Sequence, residues 1–326
     1  MHGLARLSRC IGGALAFALA AIGTGHATDF PSRAITIVIP FPPGGGTDLI
    51  MRVIGQKASE LTGQPFIIDN RGGAGGAIAA KAVKSAPADG YTLLFGNSST
   101  HAINKYIMKI AYDPEKDFVP VSEIMAFPHV LVVPSNSGVT SVDALIKLAD
   151  SKPNGLTFAT QGLGSGGQLL GEQLRLVSGK RMTSIPYQGG APALLDTSAG
   201  RTDFMFSSLA PALPFIKQGT LRVLASSGSK RAEFLPDVPS LKELGYPGVD
   251  LEFWFAVFAP AGTPQDVVAK LHDIFVKASQ SPEVARIMQT NSAALALGDG
   301  AALGERVKRD LKVMDELTKK AGIAVK

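Results

Sequence analysis

The first segment that could do chemistry is a glycine-rich stretch from Ile39 to Asp48, with the sequence IPFPPGGGTD. A short apolar run precedes it and a helical pattern of apolar residues follows it, so the glycines lead from a strand into a helix. Glycine lets the backbone approach a ligand closely, and a helix N-terminus offers unpaired N–H groups and a positive dipole end. We predict an anion-binding loop, with Thr47 as the helix N-cap; the alternative is a tight turn without a ligand. The residues expected at the anion are Phe41, Gly44, Gly45, Gly46, Thr47 and Asp48.

A second glycine-rich stretch, Thr160 to Gln168, has the sequence TQGLGSGGQ and also joins a predicted strand to a predicted helix. Its letters match the G-x-G-x-x-G dinucleotide motif, but the next strand, Met182 to Ile185, lacks the acidic residue that a ribose needs. A hydrolase nucleophile at Ser165 would need glycine two positions earlier, where the chain has Leu163. The remaining interpretations are a second anion-binding loop and a surface loop without a ligand. The expected contacts are Gln161, Gly164, Ser165 and Gln168.

Further polar residues and one glycine follow other predicted strands, at the carboxyl ends where α/β sheets bind ligands. They are Asn97, Ser98, Thr100, His101, Tyr187, Gly189, Ser207 and Ser208. For any one of these residues, helix capping is the alternative role. Their shared position at strand ends predicts that they line one pocket.

The composition excludes several classes of protein. The net charge is +5, and the lysines and arginines are dispersed without the basic stripe that nucleic-acid binding needs. Cys10 is the one cysteine, which leaves no disulfide within the chain and no cysteine-rich metal site. The sequence has no H-E-x-x-H or P-loop motif, and His101, His129 and His272 lie far apart along it. We therefore predict no catalytic residue, no metal and no cofactor.

The N-terminus has the order of a secretory signal peptide. Arg6 and Arg9 precede an apolar run from Ile11 to Ile22, and small residues follow as far as Ala27. This run is too short to span a bilayer, so we expect residues 1–27 to be removed and the mature chain to be exported to the periplasm. No later stretch is apolar for long enough to be a transmembrane helix.

Short apolar runs alternate with amphipathic helical patterns along the mature chain, which is typical of an α/β protein. The predicted strands are Ile35–Ile39, Phe66–Ile68, Tyr91–Phe95, Leu156–Ala159, Thr183–Ile185, Phe204–Phe206 and Leu221–Ala225. A mature chain of roughly 300 residues suits two domains. Val130 to Val133 and Leu251 to Ala259 are predicted to cross between them. This gives a first lobe of residues 28–127 plus 255–326 and a second lobe of residues 128–254.

In this order, the motifs resemble those of the substrate-binding proteins of tripartite tricarboxylate transporters, the Bug receptors. The resemblance covers essentially the whole mature chain. It depends on IPFPPGGGTD (39–48), DNRGGAGG (69–76), DGYTLL (89–94), THAIN (100–104), TQGLGSGG (160–167), IPYQGGAPA (185–193), LPDVPS (235–240), FWF (253–255) and FAPAGTP (258–264). It implies a type II-like periplasmic binding protein with two mixed sheets flanked by helices and joined by hinge strands. It also implies that glycine-rich loops of both lobes hold a carboxylate in the cleft, partly through water.

The expected function is the capture of a small organic acid by a monomeric receptor that delivers it to the membrane subunits of a transporter. Dicarboxylates, tricarboxylates and aromatic acids all suit two anion-binding loops. One alternative is a receptor that reports to a two-component sensor, and another is a serine hydrolase that uses Ser165 or Ser98.

The chain departs from the family pattern at three positions of the predicted site. The family often has histidine at the position of Gln168, and an Asp-Asn or similar pair at the positions of Ser207 and Ser208. Without an acid at 207, the cleft has no evident counter-charge for an ammonium group, whose unpaired burial is costly. This favours an acid without an amino group, unless Asp69 or Asp203 reaches the cleft.

Overall fold

The strand before the first glycine-rich loop forms as predicted and is the first element of the fold. The computed structural model describes residues 30–322 apart from 128, 163, 229, 232, 233 and 250, so the predicted signal peptide lies outside the described residues. The strands are β1 (Ile35–Ile39), β2 (Phe66–Asn70), β3 (Thr92–Asn97), β4 (Phe118–Phe127), β5 (His129–Pro134), β6 (Leu156–Thr160), β7 (Met182–Pro186), β8 (Phe204–Ser208), β9 (Leu221–Ser226), β10 (Phe253–Pro260) and β11 (Ala294–Leu295). The α-helices are α1 (Gly46–Thr62), α2 (Ala77–Lys84), α3 (Asn104–Ile107), α4 (Val142–Ser151), α5 (Gly166–Ser178), α6 (Gly190–Ser198), α7 (Leu209–Lys217), α8 (Gln265–Ser279), α9 (Pro282–Thr290) and α10 (Gly300–Ala321). No helix in the described part of the chain has both the length and the apolar composition needed to cross a membrane.

The strands form two mixed sheets. The first has six strands in the order β11-β4-β10-β3-β1-β2, with β1 parallel to β2 and β3, and β10 antiparallel to β3 and β4. The second has five strands in the order β7-β6-β8-β5-β9, with β6 parallel to its two neighbours and β5 antiparallel to its own. Helices pack against both sheets. The predicted α/β class, with two mixed sheets flanked by helices, is confirmed.

The chain passes between the two sheets twice. It leaves the first sheet at Phe127, the end of β4, and joins the second at His129, the start of β5. It returns after β9 and joins the first sheet again at Phe253. The segments predicted to cross therefore lie mostly within β5 and β10, and the chain changes sheet just before each of these strands. The division into lobes at these boundaries stays a prediction.

The C-terminal helix α10 packs against both halves of the molecule. Its first turns place Leu303 and Val307 in the core around Trp254, beside the first sheet. Its later turns place Met314 and Leu317 in the core of the second sheet. The two sheets are thus connected by this helix as well as by the two crossings.

The loop between β1 and α1 is held by the buried side chain of Asp48. Its Oδ2 accepts hydrogen bonds from Gly44 N at 2.8 Å and Arg52 Nε at 2.9 Å, and its Oδ1 accepts one from Asn70 Nδ2 at 2.9 Å. Asn70 Nδ2 also donates to Phe41 O at 3.1 Å. Burial raises the pKa of Asp48, but the hydrogen bonds from Arg52, Gly44 and Asn70 outweigh it and hold the pKa below its ordinary value of 3.8. Asp48, predicted as a ligand contact, fixes the shape of the loop and is not among the described residues that line the cavity.

We expect Asp48→Asn to lower the free energy of unfolding by about 1–3 kcal/mol, because the variant leaves buried donors without their acceptor. Asp69→Asn is the matched control: its ion pair with Arg71 is partly exposed, so its loss should cost about 1 kcal/mol or less. Urea denaturation at neutral pH measures both changes. Equal losses for the two variants would contradict this role of Asp48.

The pH dependence of the stability that Asp48 contributes follows from the direction of its pKa shift. Because the native pKa of Asp48 is depressed, its contribution is fully present above the ordinary value of 3.8. It is lost as the pH falls through the native value. The stability difference between wild type and Asp48→Asn should therefore shrink in acid.

Candidate ligand-binding site

A cavity of 320 Å³ opens between residues of the two sheets. It is lined by Gly46, Thr47, Phe127, His129, Ser208, Ala210, Phe253, Phe255 and Asn291. This volume lies at the lower end of the roughly 300–1,000 Å³ that is typical of small-molecule sites. Of the contacts predicted from sequence, Gly46, Thr47 and Ser208 line the cavity.

Strand pairing explains why these residues converge. Because β10 is antiparallel to its neighbours, its first residues Phe253 and Phe255 pair with Phe127 and Asn97, at the carboxyl ends of β4 and β3. In the second sheet, the first residue of β5, His129, pairs with the last residue of β8. One edge of each sheet therefore combines the ends of parallel strands with the starts of antiparallel ones. The cavity lies along these edges, where open α/β sheets bind ligands.

Two helices begin at the cavity, α1 after a strand of the first sheet and α7 after a strand of the second. The N-cap of α1 is Gly45, in an extended conformation, so the prediction of Thr47 as N-cap is wrong and Thr47 lies in the first turn. The N-cap of α7 is Ser208. Gly45 has no side chain to cap α1, and the Ser208 side chain makes no capping hydrogen bond in the described part of the chain. The first N–H groups of α1, those of Leu209 and Ala210 in α7 and the positive dipole ends of both helices are therefore available to an anion.

The remaining wall of the cavity is mostly aromatic. The ring centroid of Phe255 lies 5.6 Å from that of Phe127 and 5.8 Å from that of Phe41. The rings of His129 and Phe253 are 4.4 Å apart. Phe41, a predicted contact, supports Phe255 but is not itself a lining residue. We call Phe127, His129, Phe253 and Phe255 the aromatic wall.

His129 is buried and firmly placed within this wall. Its backbone N–H donates to Ser227 Oγ at 2.9 Å, and its carbonyl accepts from Ser227 N at 2.7 Å. Burial lowers the pKa of His129 to about 4. The imidazole is therefore neutral at neutral pH and adds polarity to the wall without adding a charge.

No aspartate, glutamate, lysine or arginine is among the described residues that line the cavity. Asp203 lies at the opposite end of β8 from Ser208, where it pairs with Lys152 and accepts from Thr157 N at 2.8 Å. Asp69 pairs with Arg71 at 2.8 Å. Neither acid supplies a counter-charge at the cavity, so this site suits an anion better than a group with an ammonium.

The second glycine-rich loop closes on itself. Gly164 N donates to Gln168 Oε1 at 2.6 Å, and Ser165 Oγ accepts from Gln168 N at 3.4 Å as the cap of α5. Gln161 Nε2 donates to Phe206 O at 3.0 Å. Because these polar groups are engaged within the loop or with β8, the structure does not bring the predicted contacts Gln161, Gly164, Ser165 and Gln168 into the cavity.

The polar residues after β3 belong to the core. His101 is fully buried, and its ring stacks on Phe258 with 3.6 Å between centroids while Nδ1 lies 2.9 Å from Thr100 Oγ1. Burial lowers the pKa of His101 to about 3. Asn97 Oδ1 accepts from Thr100 N at 2.9 Å, and Ser98 is buried beside it. Thr100 and His101, which were predicted to face a ligand, are fully buried, and neither they nor Asn97 and Ser98 are among the described residues that line the cavity.

Of the remaining predicted contacts, Tyr187, Gly189 and Ser207 have structural roles, and Ser208 lines the cavity. Tyr187 donates its hydroxyl to Asp196 Oδ2 at 2.9 Å, and burial together with this carboxylate raises the pKa of Tyr187. Ser207 is buried, and its hydroxyl donates to Ser208 O at 3.0 Å. Gly189 is the N-cap of α6, with a φ of 114° that favours glycine. None of the three lines the cavity; Ser208, which points to the other side of the strand from Ser207, does.

Sequence reasoning missed Phe127, His129, Ala210, Phe253, Phe255 and Asn291. The sequence held a signal for the aromatic residues, because they flank the two points where the chain passes from one sheet to the other. Asn291 is the C-cap of α9 and reaches the start of α1 from far along the chain. No local pattern identifies such a contact.

Comparison with known proteins gives a consistent result. Residues 50–323 match the family model of the tripartite tricarboxylate transporter family receptor. Protein BugT of Bordetella pertussis is 38% identical over 269 residues, which cover 82% of each chain. The solved structure of R. palustris Rpa4515 with adipate is 36% identical, with a TM-score of 0.76 over 91% of this chain and 100% of that one. MatC from Rhodopseudomonas palustris with bound malate is 31% identical, with a TM-score of 0.71 over 88% of this chain and 100% of that one. The chain therefore belongs to the receptor family of the tripartite tricarboxylate transporters, the Bug-type periplasmic solute-binding receptors.

Proposed function

We propose that this chain works in the periplasm, captures a small organic carboxylate between its lobes and delivers it to the membrane subunits of a tripartite tricarboxylate-type transporter. The observation that supports this most is the pair of uncapped helix N-termini, from different sheets, at one cavity without charged side chains among its described lining residues. The relatives solved with adipate and with malate, both dicarboxylates, support the same class of ligand for this chain.

The energies of these contacts are adequate for capture. A hydrogen bond to a charged group contributes roughly 1.5–3 kcal/mol, and a helix terminus adds roughly 0.3–1 kcal/mol. A few such contacts supply the roughly 8 kcal/mol of a micromolar complex after ordering costs. Because α1 and α7 follow strands of different sheets, both hold the ligand only when the lobes are close together. Ligand thus favours the closed form, which the membrane subunits would recognise.

We propose that residues 28–127 plus 255–326 and residues 128–254 are the two lobes, and that the receptor acts as a monomer without bond-making chemistry. The hydrolase alternative has little support, because Ser165 is engaged as a helix cap, and both Ser98 and the nearby His101 are buried. A receptor for a two-component sensor would use the same closed form. Deleting the gene and comparing uptake with transcriptional induction separates these two uses of one binding event.

The class of ligand can be tested through the stability that a bound ligand adds. A thermal-shift series on the mature protein should show stabilisation by organic acids without an amino group, such as succinate, citrate or aromatic acids, and weaker stabilisation by aspartate and glutamate. The reason is the lack of a counter-charge for an ammonium in the cavity lining. A ligand at a hundred times its Kd adds about 2.7 kcal/mol of stability, which the assay resolves easily. Stronger stabilisation by aspartate or glutamate than by every unaminated acid would contradict the proposal.

Substitutions at the two helix starts test each terminus separately. Thr47→Asp and Ser208→Asp each place a carboxylate at one helix start, where it satisfies the dipole but repels the ligand. The neutral isosteres Thr47→Asn and Ser208→Asn are the matched controls for shape. We expect each Asp variant to bind the acid at least about tenfold more weakly than its Asn partner, which corresponds to about 1.4 kcal/mol. Calorimetry measures the ratio, and equal affinities within either pair would show that this terminus does not hold the anion.

A further inference from the structure

The second glycine-rich loop, Thr160 to Gln168, adds no described residue to the cavity lining, but side chains from the half of the molecule that holds the first sheet pack against it. The loop itself joins β6 to α5 in the other half. A Cβ at Gly164 would overlap Cδ1 of Ile107, the last residue of α3. A Cβ at Gly166 would overlap the ring of Phe253, the first residue of β10. Two glycines of the loop therefore leave room for a side chain from the other half.

Backbone geometry alone does not explain both glycines. Gly164 has a φ of 74°, which favours glycine. Gly166 is the first residue of α5, a helical position at which alanine would be the better helix former. The Phe253 ring accounts for glycine there, and the same ring lines the cavity. What the two positions share is the close approach of an apolar side chain.

The contact around Ile107 is apolar. Ile103, which precedes α3, is buried in the same core as Leu170 of α5, and Ile107 packs against that core. Gly164 N already donates a hydrogen bond to Gln168 Oε1. Because this amide has its acceptor within the loop, apolar side chains can cover it without leaving a donor unpaired.

Ile107 belongs to the proposed first lobe and Gly164 to the proposed second lobe, and neither is among the described residues that line the cavity. We propose that the second glycine-rich loop is the surface on which the second lobe closes against the first, with Gly164 as the seat of Ile107 and Gly166 as the seat of Phe253. The Ile107 contact stabilises the closed form without touching the ligand, so it slows ligand release. This inference rests on the proposed function and gives the loop a role in closure instead of anion binding.

Calorimetry of the mature protein with adipate tests the seat at Gly164. Gly164→Ala places a methyl group against Ile107. Gly179→Ala is the matched control, because Gly179 has a similar φ of 65° and its added Cβ would meet no described atom within 4 Å. We expect Gly164→Ala to bind adipate at least about tenfold more weakly than Gly179→Ala, because the closed form loses its contact.

A second substitution tests whether the loss arises at Ile107. Ile107→Ala removes the atom that the new methyl group overlaps, so the double variant should bind adipate at least about threefold more tightly than Gly164→Ala alone. Equal affinities of Gly164→Ala and Gly179→Ala, or no recovery in the double variant, overturns the inference.

A disulfide detects the contact without the Gly164→Ala variant. Cys10, the one cysteine of the chain, lies in the predicted signal peptide, so cysteines introduced into the mature protein have no competitor. Gly164→Cys combined with Ile107→Cys should form an intramolecular disulfide, because a Cβ at 164 would lie 3.7 Å from Ile107 Cγ1. Adipate should speed its formation at least about threefold by favouring the closed form. Gly179→Cys combined with Ile107→Cys is the control pair that should not form one, and mass spectrometry under mild oxidation measures the rates.

The outcomes separate this inference from the proposed function. If adipate does not bind the wild type, the acid that stabilises it most in the thermal-shift series replaces it as the probe. No disulfide between positions 107 and 164, or the same rate with and without an acid that calorimetry shows to bind, overturns the inference and leaves the proposed function standing. Failure of every organic acid to bind overturns both.

Discussion

The binding site depends on one constraint of helix geometry: the first N–H groups of a helix have no acceptor within the helix. In four helices a side chain satisfies one of these donors, from Ser141, Ser165, Ser281 and Asp299. At α1 and α7, the described N-cap residues do not. Helices α2, α3, α6 and α8 also begin without a side-chain cap, but α1 and α7 are the ones that begin at the cavity, so their first N–H groups lie where an anion can reach them.

The rest of the architecture fixes the positions of these two helix starts. The network of Asp48, Asn70 and Arg52 fixes the loop before α1. The Asp48 carboxylate is paired with Arg52 and hydrogen-bonded to Gly44 N and Asn70. The antiparallel strands β5 and β10 place their first residues at the same edges, which adds the aromatic wall between the helices. A preorganised site of this kind gains affinity because little has to be ordered when the ligand binds.

Much of this could be predicted from the sequence, and the failures have physical causes. Ile35 to Ile39 is a β-branched run followed by glycines, so β1, its loop and the start of α1 follow from local patterns. The burial of His101 could not be predicted, because the side chain of a polar residue after a strand can point either to the end of the sheet or into the core. Its direction is set by packing against Phe258, which lies on a strand distant in sequence. The hydrogen bonding within the second glycine-rich loop could not be predicted, because the glycine pattern does not reveal that Gln168 accepts a hydrogen bond from Gly164 N. The position of His129 in the cavity lining could not be predicted, because it follows from the point where the chain passes between the sheets.

The most direct test of the central claim is an amide NMR titration of the mature protein with adipate. If the two helix N-termini hold the anion, the amide signals of Gly46 and Thr47 in α1 and of Ala210 in α7 should shift together and saturate at one ligand per chain. A titration in which the amides of Gly164 and Ser165 move while those of Thr47 and Ala210 stay in place would contradict the account.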